Sequence, residues 1–148
     1  MTSVNDPENS LPYHIRGAFR GFETALARYL ATVDLPVSQF YILRLLWEED
    51  GNTQSDIAAQ ASMSESVASQ VIQKMEKAGL VTRKKVSGDS RKRKVFLTSK
   101  GIALRQKIMT EGIQISEAHR PDISREDILT AISVLIKVKD AFDNFNAQ

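Results

Sequence analysis

Cysteine is absent from the 148 residues, which excludes disulfides, cysteine–zinc sites and thiol redox switches. Histidine is nearly absent. His14 and His119 stand far apart with no acidic partner at ligand spacing, so no metal site is expected. No apolar run reaches the ~18 residues of a membrane span, and no charged-then-apolar leader opens the chain. The expected setting is the cytoplasm, without a membrane partner. A Gly-rich phosphate loop, a paired His–carboxylate motif and G-x-S-x-G are missing too. An enzyme and a cofactor are therefore not expected.

Acidic residues are scarce in one place only. The net charge of +2 conceals a stretch, residues 83–94, with seven Lys/Arg against a single acid, Asp89. That stretch nets +6, while residues 1–82 net −4 and residues 95–148 net zero. A basic patch concentrated in this way is an electrostatic footprint for phosphates.

The stretch around it reads as a helix, a turn and two strands. Val67, Ala68, Val71, Ile72 and Met75 recur at helical spacing and are expected to form one buried face. The remaining positions carry Glu65, Ser66, Ser69, Gln70, Gln73 and Lys74. Ser64 suits the N-cap; Ser62, with Glu65 three residues on, is a rival start. Gly79 stops the helix, because it takes the left-handed conformation at little cost. Leu80–Lys84 and Lys94–Thr98 are β-prone, and Val86–Ser90 between them is turn chemistry.

Elsewhere the pattern is helical. Met1–Leu11 is polar and aperiodic, and is expected to be a mobile tail. A helix is predicted from Pro12 to about Thr32, with Ile15, Ala18, Phe19, Phe22, Leu26, Tyr29 and Leu30 on its apolar face. Val37 to about Glu49 is a second, with Phe40, Leu43, Leu46 and Trp47 inward. Thr53 and Asp56 open a short third helix to about Gln60. With the helix after Ala61-Ser62-Met63 it makes a helix-turn-helix, the second member being the recognition helix by position. A long helix follows from Thr98 or Ser99 to near His119, and Pro121 interrupts it. Ser124 and Asp127 start a last helix, whose wide apolar face includes Ile128, Leu129, Ile132, Leu135, Ile136, Val138, Phe142 and Phe145. A small lobe cannot cover these terminal helices, so two chains are expected to bury them mutually.

The expected class is mainly α (α+β). A winged helix-turn-helix lobe spans 35–98 and carries a two-stranded wing. Residues 12–34 and 99–148 are intertwined dimerisation helices. Two recognition helices about 34 Å apart would read a palindrome in double-stranded DNA.

Three stretches carry a family resemblance. Asp89-Ser90-Arg91-Lys92-Arg93-Lys94-Val95-Phe96-Leu97-Thr98-Ser99-Lys100-Gly101 fits D-x-R-x-x-x-V-x-L-T-x-x-G. Glu76-Lys77-Ala78-Gly79-Leu80-Val81-Thr82-Arg83 fits a helix-to-strand junction, and Leu35-Pro36-Val37-Ser38-Gln39-Phe40 fits the start of the second helix. Together they resemble the MarR family of winged-helix regulators over about Tyr13 to Phe145. The resemblance implies a homodimer that binds a palindromic operator and usually represses transcription. It implies that Arg91 enters the minor groove with Asp89 orienting it, where a narrow groove concentrates negative potential. Gln70 departs from the arginine that relatives often carry, and glutamine pairs bidentately with adenine.

The expected DNA-contacting residues are Ser64, Ser66, Ser69, Gln70, Gln73, Lys74, Lys84, Asp89, Arg91, Lys92 and Arg93. The family often binds small aromatic acids between its dimerisation helices and its DNA-binding lobe. Tyr13, Arg16 and Arg20 share one face of the first helix by their 3–4 spacing. Arg16, or else Arg20, is the candidate partner of a ligand carboxylate, with Tyr13 and His14 nearby. A surface pair of Arg20 with Glu23 is the competing reading. An activator, or a winged-helix protein-interaction module without ligand response, is the alternative function.

Overall fold

The computed structural model describes residues 6–118 and 122–147, and for residues 90, 91 and 112–118 the backbone alone. His119 and the break at Pro121 lie outside the described residues, as do residues 1–5 of the expected tail. A 3-10 turn at Pro7–Asn9, capped by Asp6, precedes six helices and a hairpin among the described residues. They run α1 (Leu11–Ala31), α2 (Val37–Glu48), α3 (Gln54–Gln60), α4 (Glu65–Lys77), β1 (Val81–Val86), β2 (Asp89–Leu97), α5 (Ser99–Ala118) and α6 (Arg125–Asn146). The first helix thus begins one residue before Pro12, and the tail's end is ordered into it.

The chain falls into two compact units that meet between Ile108 and Met109, so α5 passes from one to the other. In the first, α1 and α2 pack with the helix-turn-helix and the base of the hairpin. Leu30, Ile42, Leu43, Leu46, Ile57, Ile72, Met75, Val81 and Val95 are fully buried there. Ile108 of α5 joins that core and Leu104 packs against it, whereas Ile102 is exposed.

Local chemistry sets the element ends. Thr53 accepts a hydrogen bond from the Asp56 N–H and starts α3. Ser64 accepts one from the Val67 N–H and starts α4. Ser62, the rival, sits in the left-handed region at φ 53° and belongs to the turn. Gly79, at φ 73°, ends α4 in a conformation that a side chain would penalise. Lys100 donates to the Ala78 carbonyl and satisfies one of that helix's last acceptors.

The wing departs from expectation in length. Both strands are longer than predicted, and the turn shrinks to Ser87 and Gly88. Charged residues paired across the strands conceal the β pattern, because the alternation of apolar and polar is lost there. Pairing is antiparallel, with Val81 opposite Leu97 and Lys84 opposite Lys94, and a bulge lies between Lys85 and Val86. The segment before α3 supplies a further edge. Gly51 N–H donates to Val95 O, Val95 N–H to Asn52 O, and Thr53 forms a bridge with Lys94.

Thr98 and Gly101 of the wing motif are structural. Thr98 Oγ1 donates to Gly79 O at 2.6 Å and accepts from Gly101 N–H at 3.2 Å, so it caps α5 and ties it to the end of α4. A Cβ on Gly101 would lie 2.3 Å from the Leu80 carbonyl oxygen, which only glycine avoids. The Gly101 carbonyl accepts from Trp47 Nε1, which explains why this indole is buried with its N–H satisfied.

In the second unit α6 opens with a reciprocal capping box between Ser124 and Asp127. That hydrogen bond holds the Asp127 carboxyl below its ordinary value. Lys139 and Asp143 pair one turn apart at 2.6 Å. None of the residues of α6 is buried within the single chain; Leu129, Ile132, Leu135, Ile136, Phe142 and Phe145 are exposed.

Candidate nucleic-acid interface

The recognition helix α4 presents a polar row. Ala68, Val71, Ile72 and Met75 face the core, and Ser66, Gln70, Gln73 and Lys77 lie along the opposite side. Lys74 is exposed beside that row, and Ser69 is half-buried on the flank toward the wing. Ser64 sits at the helix start with its oxygen engaged in the cap. Val67 corrects the sequence reading: expected on the buried face, it is 47% exposed. Its place in the first turn puts it at the margin of the apolar stripe, where spacing alone does not separate inside from outside.

The hairpin stands beside this row because α4 and β1 are clamped. Arg83 Nε and Nη2 donate to Glu76 Oε2 at 3.0 and 2.7 Å, and the Arg83 N–H donates to Oε1 at 3.2 Å. These hydrogen bonds hold the Glu76 carboxyl below its ordinary 4.5. Arg83 is thus engaged within the chain. Sequence reasoning missed Glu76 as its partner, although the two are the first and last residues of the junction motif.

The cations of the wing are stacked against one another. Lys84 faces Lys94 and Lys85 faces Arg93 across the ladder. Like charges directly opposite destabilise a strand pair. Lys84 gains some relief from Phe96, whose ring centroid lies 5.0 Å from its Nζ. By strand alternation Lys85 and Arg93 share the face of Arg83, toward α4, and Lys84 and Lys94 share the other with Phe96. Asp89 opens β2 opposite Val86 at the hairpin tip and is half-buried. Arg91 lies in β2, and its side chain is outside the described residues.

A polar cleft of about 210 Å³ separates wing from helix-turn-helix. Lys92, Arg93 and Arg83 line it on one side, Glu65 and Ser69 of α4 on another, and Thr53, Gln54 and Ser55 at the start of α3 close it. The α3 residues were not among the expected contacts. Their signal is weak, since a lone bridge at Thr53 leaves no strand pattern in the sequence.

The candidate ligand residues lie apart from this surface, on α1. Tyr13, His14, Arg16 and Arg20 are all exposed. The Tyr13 and His14 rings meet edge-on at 5.4 Å, and His14 Nε2 donates to Glu8 O at 2.7 Å. Glu23, the alternative partner for Arg20, sits against Tyr41. Burial, with Glu23 beside it, raises that phenol above its ordinary value.

Comparison with known proteins agrees with this geometry. The MarR family profile matches residues 35–92. The HTH-type transcriptional regulator FarR of Neisseria gonorrhoeae is 33% identical over 109 residues, 72% of this chain and 75% of FarR. TtmR of Methylorubrum extorquens, also an HTH-type transcriptional regulator, is 28% identical over 73% of this chain; the match spans only 57% of the longer TtmR. A MarR protein from Peptoclostridium difficile superposes with a TM-score of 0.84 at 18% identity, covering 100% of this chain and 96% of its own. Staphylococcus aureus MepR, solved with DNA, gives 0.79 at 22% identity over 89% of this chain and 98% of MepR. Bordetella bronchiseptica BpsR, whose DNA binding is regulated by 6-hydroxynicotinic acid, gives 0.82 at 18% identity over 93% and 99%.

Proposed function

The chain belongs to the MarR family of transcriptional regulators, and from that premise we propose that it is a homodimeric repressor of a palindromic operator, released by a small aromatic acid. One observation carries the DNA reading: the polar row of α4 and a hairpin of mutually opposed cations stand side by side in one lobe. The cation pairs Lys84–Lys94 and Lys85–Arg93 cost the free protein stability, and a phosphate backbone offsets that cost. Ser66, Gln70 and Gln73 read base edges in the major groove, with Ser64, Ser69 and Lys74 toward the backbone. Lys84, Lys92 and Arg93 meet phosphates, and Arg91, oriented by Asp89, enters the minor groove.

The dimer reading rests on α6 and α1. Phe19 and Phe22 of α1 are exposed along with the apolar residues of α6. A second copy covering them gains roughly 25 cal/mol per Å² of apolar area. The ligand reading rests on Arg16 and on the behaviour of BpsR. A ligand that prefers a dimer with misplaced recognition helices weakens DNA binding, and DNA weakens its binding by the same factor.

Salt titration of duplex binding tests the DNA reading. With about 6–10 phosphates neutralised, affinity falls by about 10³–10⁵ between 50 and 200 mM salt. A flat salt dependence overturns it.

A further inference from the structure

We propose that Val67 is a specificity-determining residue that recognises the C5-methyl group of a thymine in each operator half-site. The inference rests on the DNA-binding reading above. Val67 is the large apolar residue of α4 left outside the core, 47% exposed while Ala68, Val71, Ile72 and Met75 are buried. The fold gives no reason for a valine there. An exposed helix position is served slightly better by alanine, because a β-branched side chain loses rotamer freedom.

Its place suits groove contact. The N-terminal residues of a recognition helix are those that meet base edges. Val67 follows the Ser64 cap, and the side chains toward the helix start, Ser64 and Ser66, are short, which lets that end approach closely. Its two methyl groups are held in one preferred rotamer, so they form a fixed apolar knob. Gln70 lies one turn on, at the i+3 spacing that makes the two side chains neighbours. Glutamine matches the N6 and N7 edge of adenine, and an apolar side chain matches the thymine methyl. The pair therefore reads neighbouring A·T pairs.

The test uses the full chain and the tightest duplex recovered from a random pool. Each thymine of that duplex is replaced in turn by deoxyuridine, which removes only the methyl group. Wild type is expected to weaken roughly fourfold at one symmetry-related thymine per half-site, the worth of one buried methylene-sized group. Val67→Ala is expected to bind the parent duplex more weakly and to be indifferent to that replacement, with its thermal midpoint unchanged or slightly raised. If wild type and Val67→Ala respond alike at every thymine while both bind DNA, the assignment of Val67 is wrong and the DNA reading stands. If wild type recovers no duplex at all, both fall together.

Discussion

Arg83 and Lys84 already have partners within the chain, Glu76 and the Phe96 ring, so the cations of the wing are not equivalent. Lys92 and Arg93 line the cleft beside Arg83. Among these residues Arg91 is the one proposed to enter the minor groove, because its spacing from Asp89 is that of the wing motif. Arg91→Ala is expected to weaken operator binding by about 1–3 kcal/mol at ~150 mM salt, as for a good specific contact. A gel shift with unchanged affinity removes Arg91 from the interface. For Arg16, calorimetry with aromatic carboxylates is expected to show weaker binding in Arg16→Ala than in wild type, through loss of a bidentate pair. Equal affinities dismiss it. The wing motif marked Thr98 and Gly101 as positions of note, and packing shows why: one caps α5 and the other leaves room for the Leu80 carbonyl. Roles were not legible at Val67 or Glu76, since exposure within a helix turn and pairing across a helix stop depend on tertiary packing.

At the scale of elements, the decisive joint is between α4 and β1. It is held by the three hydrogen bonds from Arg83 to the Glu76 carboxylate. The Glu76 carboxyl is lowered in the folded chain, chiefly by that side-chain hydrogen bond. A lowered acid contributes stability that is fully present above its unfolded value and is lost as pH falls through the folded one. Stability from this joint is thus present at neutral pH and lost below the ordinary 4.5. The pair is part-exposed, at 22% for Arg83 and 37% for Glu76, so screening limits its worth to the order of 1 kcal/mol. Glu76→Gln is expected to lower stability by about that amount at pH 7 and by much less at pH 3. Denaturant titrations at both values check this, and an equal deficit at both contradicts the clamp. Helices were readable from caps and periodicity, and α3, α4 and α6 start where their capping residues placed them. The hairpin's length was not, because its outer half is charged on both faces. The short edge at residues 51–53 was hidden for another reason: it pairs through backbone groups that no side-chain pattern reports.

At the scale of the molecule, the two compact units divide the work differently from the predicted domains. The helix α1, read from the sequence as a dimerisation element, belongs by packing to the unit that carries the helix-turn-helix. In the account proposed here, that arrangement lets a ligand held on α1 act on the lobe that meets DNA. The exposed apolar residues of α6 make the single chain an unfavourable end state in water, and the proposed second copy would relieve it. In the proposed dimer, two-fold symmetry sets the form of the operator. The most direct measurement is selection of binding sites from a random duplex pool, with sedimentation of the resulting complex. The expected result is a dyad-symmetric site whose half-sites lie about one helical turn, roughly 34 Å, apart, occupied by one protein dimer. A pool that stays random, or an unsymmetrical half-site bound by a monomer, contradicts it.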